Sequence, residues 1–153
     1  MELHKVEKIK TDGSIKAIYS PKTELKLRRP LVGPKIPAGF PSPAADYVEG
    51  SLDLNEYLIA HPASTFFVRV DGHSMVKAGI FPDDILVVDR SLEPVSGKIV
   101  VAIYDGELTV KRLKIERGKY WLIPESDDYE PICVHKDTDF QVWGVVCWVI
   151  HKV

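Results

Sequence analysis

The feature that most constrains the fold is a succession of short apolar runs separated by turn residues, which begins near residue 60. Asp105-Gly106 lies between two of these runs and is a strong signal for a β-hairpin. Short strands joined by tight turns pair in antiparallel fashion and curl to hide their edges. We therefore predict a mostly β protein with a single curled, barrel-like antiparallel domain. Its predicted strands are residues 65–70, 85–88, 98–104, 107–115, 119–124, 131–134 and 141–150.

The first 45 residues have a different character, because prolines recur through them from Pro21 to Pro43. Proline disfavours helix and favours extended chain. We predict that residues 1–45 form an extended N-terminal arm and that residues 46–153 form the β-rich domain. Residues 14–19 are apolar enough to add a strand to the edge of a sheet. The basic residues of this arm are interpreted as a solvated face.

Composition excludes several classes of protein. The chain has 153 residues, a net charge of -2 and a pI near 6.2, so no overall basic field indicates nucleic-acid binding. No apolar run is long enough to cross a bilayer, and the charged N-terminus does not resemble a signal peptide. We expect a cytoplasmic protein without a membrane partner. Cys133 and Cys147 lack metal-ligand spacing and are predicted to be small buried apolar residues.

Two short helical elements are predicted within the β-rich part. Residues 51–59 place Leu54, Tyr57 and Leu58 on one face of a helix, with Ser51 as its N-cap. Residues 75–80 are predicted to form a single helical turn that Gly79 closes.

Gly72-His73-Ser74 follows the strand 65–70 and could present a serine hydroxyl at a sharp turn. Such a serine could be a nucleophile, and neighbouring backbone amides could stabilise an oxyanion. An ordinary turn is the other interpretation, and a catalytic serine would also require a base elsewhere in the chain. The histidines at positions 61, 135 and 151 show no evident triad order, although chain order does not decide this.

Lys111 is a second candidate base, because it lies in the middle of a strongly patterned strand. Thr109, Lys111 and Leu113 share one face of that strand. A lysine removed from water has a lowered pKa and can be an uncharged base, whereas arginine keeps its proton. A surface lysine on a half-exposed strand is the alternative.

Three separated blocks of sequence together resemble the LexA/UmuD family of Ser–Lys self-cleaving proteins, peptidase family S24, and most closely its UmuD and MucA branch. The resemblance extends from about residue 39 to residue 149. One departure is Asp83, where the family usually has glycine. The matching blocks are Gly72-His73-Ser74-Met75, Asp84-Ile85-Leu86-Val87-Val88-Asp89 and Gly106-Glu107-Leu108-Thr109-Val110-Lys111-Arg112-Leu113, with a cleavage-like segment at Ala38-Gly39-Phe40-Pro41-Ser42-Pro43.

The resemblance implies a role for each site residue. Ser74 would be the nucleophile and Lys111 the neutral general base. The backbone amides of His73 and Ser74 would line the oxyanion hole, and the bond between Ala38 and Gly39 would be cleaved. The resemblance also implies the β-rich fold of the LexA/UmuD C-terminal domain, and a reaction that needs neither metal nor cofactor.

The resemblance further implies partners in the SOS DNA-damage response. A filament of RecA on single-stranded DNA would stimulate cleavage. The shortened homodimer would then join a UmuC-type Y-family polymerase in translesion synthesis. We expect no direct sequence-specific DNA binding, since residues 1–35 are too proline-rich for a helix-turn-helix.

Three other functions remain open from the sequence. A signal-peptidase-like enzyme shares the Ser–Lys chemistry but acts on other chains at a membrane. A non-catalytic adaptor would use the arm to contact a polymerase or filament, with Ser74 incidental. A LexA-like or phage-type repressor would read DNA through the basic arm.

Overall fold

The computed structural model describes residues 10–21, 26, 28–32 and 48–153. The chain forms two compact units, one from the described residues of Met1–Pro21 and His61–Val153 and the other from those of Lys22–Ala60. The boundary expected near residue 45 stays a prediction, because residues 33–47 lie outside the described residues. In chain order, the elements are β1 (Ile15–Tyr19), β2 (Arg28–Val32), β3 (Val48–Asp53), α1 (Leu54–Leu58), β4 (Thr65–Val70), a 3-10 turn (Val76–Ala78), β5 (Ile85–Asp89), β6 (Ile99–Tyr104), β7 (Glu107–Glu116), β8 (Lys119–Ile123), β9 (Ile132–Cys133) and β10 (Phe140–Ile150).

The larger unit is an eight-stranded sheet with the strand order β1-β4-β5-β10-β6-β7-β8-β9. Every pair of neighbouring strands in it is antiparallel. The prediction of a mostly β, curled antiparallel fold is confirmed. Consecutive strands β6, β7 and β8 are joined by short turns at Asp105 and Arg117, which adopt left-handed conformations with φ of 51° and 50°. These turns set the register that brings the middle of β7 opposite β6.

The strand predicted near residues 14–19 is present as β1, and it pairs with β4 at one edge of the sheet. Ile15 and Ile18 are buried in the core, so the pairing is supported by apolar packing as well as by backbone hydrogen bonds. Part of the expected arm is therefore a component of the sheet.

The two faces of the sheet carry separate apolar cores. Because side chains alternate along a strand, the neighbouring residues Val100 and Val101 of β6 contribute to different cores. The first core comprises Ile15, Ile18, Val68, Val70, Met75, Ile80, Leu86, Val88, Val101, Leu108 and Val110. The second comprises Val100, Ala102, Leu113, Leu122 and Val145.

Gly144 allows β10 to pass closely between β5 and β6. A Cβ atom at this position would lie 2.6 Å from Val88 Cγ1, closer than two carbon atoms can approach. The register of β10 shifts beside this glycine, between Val142 and Gly144, and again between Val146 and Trp148. Such irregularities bend a strand and increase its twist, which curls the sheet.

The smaller unit pairs β2 with β3, and α1 follows directly. The side chain of Asp53 caps α1 by accepting hydrogen bonds from the backbone amides of Asn55 and Glu56. The prediction of Ser51 as the N-cap was wrong, because Ser51 lies in β3 and pairs with Pro30. The paired strand extends to Asp53, so the helix begins at Leu54 rather than near residue 51.

The prediction that both cysteines are buried was also wrong. Cys133 in β9 is partly exposed and Cys147 in β10 is exposed. Cys147 lies at the second register shift of β10, and Trp148, Val149 and Ile150 after it are also exposed. An apolar strand pattern thus indicated a strand correctly but did not indicate which of its residues face water.

Candidate active site

Ser74 lies in the turn that follows β4, as the sequence predicted, and only 5% of the residue is exposed. Gly72 starts this turn with a φ of 70°, and a Cβ there would lie 3.3 Å from the Gly13 carbonyl oxygen. Glycine therefore suits both the positive φ at position 72 and the close packing against Gly13. The Ser74 carbonyl accepts a hydrogen bond from the Glu125 amide at 2.8 Å, which fixes the backbone of the serine.

A 3-10 turn closes the chain after Ser74. It covers Val76–Ala78 and ends at Gly79, which has the left-handed conformation expected of a cap. The predicted helical turn at residues 75–80 is thus confirmed. Asp83, where the resemblance would place glycine, keeps a positive φ of 70° and so preserves a glycine-like turn before β5.

The structure brings Lys111 next to Ser74. Lys111 lies in β7, is 3% exposed, and its Nζ lies 3.4 Å from Ser74 Oγ. The same Nζ donates hydrogen bonds to Thr109 Oγ1 at 2.6 Å and to the Val110 carbonyl at 3.1 Å. The two residues are 37 positions apart in the chain, so only the fold places them in contact.

Two apolar residues flank Lys111 on its own face of the sheet. Val100 pairs with it across β6, and Leu113 follows it on the same face of β7; both are fully buried. Burial lowers the pKa of Lys111, and the charge and hydrogen bond of Asp12 raise it in opposition. Burial has the larger effect, so the pKa of Lys111 lies below its ordinary value and the uncharged amine that a general base requires forms more readily than on a surface lysine.

The structure gives less information on the other predicted site residues, which are His73, Ala38 and Gly39. The His73 side chain is exposed, as expected for a residue that would contribute its backbone amide. The oxyanion-hole role of the His73 and Ser74 amides stays a prediction. Ala38 and Gly39 lie outside the described residues, so the cleavage site also stays a prediction.

Two histidines that were candidate bases have other partners. His61 Nδ1 lies 2.6 Å from Asp89 Oδ2, and His151 Nδ1 lies 2.6 Å from Asp84 Oδ1. Within residues 48–153 and the described parts before them, Lys111 is the basic side chain in hydrogen-bond contact with Ser74. No cluster of three or more His, Cys, Asp or Glu side chains in those parts could hold a metal ion.

The sequence analysis missed two residues of the site. Thr109 was recognised as sharing a face with Lys111, and that spacing is the signal that could have indicated its hydrogen bond to Nζ. Asp12 lies 3.3 Å from Lys111 Nζ but is 99 positions away in the chain. No periodic pattern links residues so far apart, so its contact could not be found from sequence.

A serine and a lysine buried side by side on a curled antiparallel sheet are the arrangement of groups that a Ser–Lys peptidase requires. A family model described as Peptidase S24-like matches residues 30–147. The chain belongs to this family of peptidases and, with the relatives described next, to its UmuD/MucA branch. Among the residues of the structure, no helix is long and apolar enough to cross a membrane.

Curated relatives agree with this assignment. Protein ImpA of Escherichia coli is 49% identical over 124 residues, which cover 81% of this chain and 84% of ImpA. Protein MucA of Escherichia coli is 45% identical over 113 residues, covering 73% of this chain and 77% of MucA. The LexA repressor of Xylella fastidiosa (strain 9a5c) is 40% identical over 124 residues, covering 81% of this chain and 58% of LexA.

Proposed function

We propose that this chain is a self-cleaving serine endopeptidase of the SOS DNA-damage response that hydrolyses its own Ala38–Gly39 bond. The observation that carries the proposal is the 3.4 Å approach of Lys111 Nζ to Ser74 Oγ, with both residues buried. A buried lysine whose pKa is lowered by burial is typical of catalytic bases. Membership of a peptidase family supports the same chemistry.

In the proposed reaction, neutral Lys111 takes the proton from the Ser74 hydroxyl as Oγ forms a bond to the carbonyl carbon of Ala38. The backbone amides of His73 and Ser74 stabilise the resulting oxyanion. The bond between Ala38 carbon and Gly39 nitrogen then breaks, and the Lys111 ammonium returns its proton to that nitrogen. Lys111 then takes a proton from water, whose oxygen forms a bond to the ester carbon on Ser74. The bond from that carbon to Ser74 Oγ breaks, the Lys111 ammonium returns the proton to Oγ, and the fragment that ends at Ala38 leaves with its new carboxyl group.

The substrate segment belongs to the same chain in this proposal. A tethered substrate has a high effective concentration, so docking of the segment and loss of the lysine's proton would limit the rate. Ala38 and Gly39 are small, which permits a close approach to the serine.

The proposed partners follow from the resemblance to UmuD and MucA. A RecA–single-stranded DNA filament would favour the docked state in the cytoplasm. The shortened homodimer would then join a UmuC-type Y-family polymerase for translesion synthesis. The similarity to ImpA and MucA supports this assignment over a membrane-bound signal peptidase.

Incubation of the purified protein, with and without a RecA–single-stranded DNA filament, tests the proposal. We expect mass spectrometry to find a fragment that begins at Gly39, formed faster with the filament. Ser74→Ala should form none, whereas Ser51→Ala, which removes an exposed hydroxyl, should be cleaved as the parent is. Absence of the Gly39 fragment in every condition would leave the non-catalytic adaptor as the function.

The similarity to a LexA repressor favours one second candidate, a repressor that binds DNA. Phosphate contacts by basic residues weaken steeply with salt. Sequence-specific binding of a DNA duplex that persists over a salt series would support the repressor, whereas weak binding equal for all sequences would oppose it.

A further inference from the structure

The segment before β1 lies directly beside the Ser–Lys pair. Its backbone runs parallel to the start of β7, with a bridge between Thr11 and Leu108. The Asp12 amide donates to the Leu108 carbonyl at 3.1 Å, and the Leu108 amide donates to the Lys10 carbonyl at 2.9 Å. This segment precedes residues 30–147, so the family match assigns it no role.

The other end of the segment is held from the serine side of the site. The Asp71 amide, three residues before Ser74, donates to the Ser14 carbonyl at 2.8 Å. The Val110 amide donates to Ser14 Oγ at 3.2 Å. Residues 10–14 are thus fixed against β7, which supplies Lys111, and against the turn after β4, which supplies Ser74. These contacts give Asp12 a defined position.

The Asp12 carboxylate makes contacts on both of its oxygens. Oδ1 accepts hydrogen bonds from the Ser14 amide at 2.9 Å and from Ser14 Oγ at 2.5 Å. Oδ2 accepts from Thr109 Oγ1 at 2.5 Å and from Lys111 Nζ at 3.3 Å. Thr109 Oγ1 also accepts a hydrogen bond from Lys111 Nζ, so these three side chains form a closed network. The network restricts rotation of the Lys111 ammonium.

We propose, on the basis of the function proposed above, that Asp12 is a positioning residue that keeps Lys111 charged and bonded to Thr109, and so restrains proton transfer from Ser74. The restraint is electrostatic. A carboxylate 3.3 Å from the amine stabilises the ammonium, whereas the reaction requires the neutral amine. Side-chain exposure of 33% at Asp12 weakens this attraction through solvent without abolishing it.

Among the described residues that face Lys111 from the neighbouring elements, Asp12 is the one that carries a charge. From β6 the facing residue is Val100, which is apolar. Arg112 lies on the opposite face of β7 and pairs with Glu125. From the turn after β4 the contact is the Ser74 hydroxyl, while the neighbouring His73 side chain is exposed.

The titration of both partners supports this arrangement. Burial lowers the pKa of Lys111, and Asp12 opposes that effect. Burial alone would raise the pKa of Asp12, but hydrogen bonds from Ser14 and Thr109 and the charge of Lys111 lower it overall. Asp12 is therefore ionised at neutral pH and able to hold the ammonium.

Asp12→Asn keeps the shape of the side chain and removes its charge. We expect its self-cleavage without a filament to be about tenfold faster at neutral pH, with the acid side of the pH–rate profile moved to lower pH. Asp12→Glu, which restores a carboxylate, should return the rate towards that of the parent. Asp137→Asn removes an exposed carboxylate in the loop before β10 and should cleave as the parent does.

A titration independent of cleavage separates this inference from the proposed function. In Ser74→Ala protein carrying ¹³C-labelled lysine, the Lys111 resonance is identified by its loss in a further Lys111→Arg variant. We expect adding Asp12→Asn to lower the pH at which Lys111 titrates, and adding Asp137→Asn to leave it unchanged. An unchanged titration with Asp12→Asn would overturn the inference even if the protein cleaves itself. A lowered titration in a protein that never forms the Gly39 fragment would overturn the peptidase proposal alone.

Discussion

Lys111 and Asp89 are both buried ionisable groups on the same sheet, yet their surroundings act on charge in opposite directions. Asp89 accepts hydrogen bonds from Ser64 Oγ, from the Ser91 amide and from Ser91 Oγ at 2.7–2.8 Å, and contacts His61. Burial alone would raise the pKa of Asp89, but these hydrogen bonds lower it to about 2. Among the described residues Lys111 has a single carboxylate partner, Asp12, and burial still dominates its pKa.

The difference between the two sites indicates their roles. A buried charge whose neighbours favour the ionised form stabilises the fold. A buried group whose ionised form is disfavoured by its removal from water costs stability, and such groups are frequent at chemical sites. Asp89 belongs to the first kind, and we propose that Lys111 belongs to the second.

The largest effect is expected from Lys111→Arg. A guanidinium stays protonated and cannot accept the Ser74 proton, so loss of the general base should slow self-cleavage by at least about 10³-fold. Lys114→Arg is the matched control, because Lys114 lies on the same strand but is exposed and pairs with Glu116. It should cleave within about twofold of the parent. Quantifying the Gly39 fragment over time checks both; cleavage by Lys111→Arg at the parent rate would remove Lys111 from the chemistry.

Leu113→Ala should leave a cavity in the apolar packing beside Lys111. Leu113 is fully buried opposite Leu122, so its truncation should cost about 3 kcal/mol of unfolding free energy, measured with urea. Water entering beside Lys111 should also raise its pKa and slow cleavage at neutral pH. Ile115→Ala, at a half-buried position on the same face, should lose less stability. Equal losses in the two variants would contradict the described packing.

Asp89→Asn should lower the unfolding free energy at pH 7 by about 2 kcal/mol, because a depressed carboxylate pKa stabilises the folded state above the unfolded value. The difference from the parent should shrink as the pH falls from about 4 through about 2. Urea unfolding at several pH values measures it. A difference that stays constant with pH would show that Asp89 does not act through its charge.

Cys147→Ser is expected to have the smallest effect, within about 0.5 kcal/mol of unfolding free energy, because the residue is exposed. Val145→Ala on the same strand removes a buried side chain and should cost clearly more. If Cys147→Ser lost as much unfolding free energy as Val145→Ala, the result would support a buried thiol and contradict the described exposure.

The sheet could be predicted because its signals are local: apolar runs and turn residues gave strands such as β4 with its observed bounds. The Gly-X-Ser turn and the patterned lysine marked Ser74 and Lys111 as separate candidates, and only the resemblance implied that they act as a pair. The Asp12 contact could not be predicted, since it depends on how β1 enters the sheet. Exposure of Cys147 and capping by Asp53 also depend on strand pairing and not on residue type.

The pH dependence of self-cleavage, measured on the full chain without a filament, tests the central claim most directly. If a neutral Lys111 accepts the Ser74 proton, the rate should rise about tenfold per pH unit below the pKa of Lys111 and then level off. The plateau should begin at a lower pH than an ordinary surface lysine requires, because burial lowers that pKa. A rate that does not change with pH, while the Gly39 fragment still forms, would contradict a lysine base.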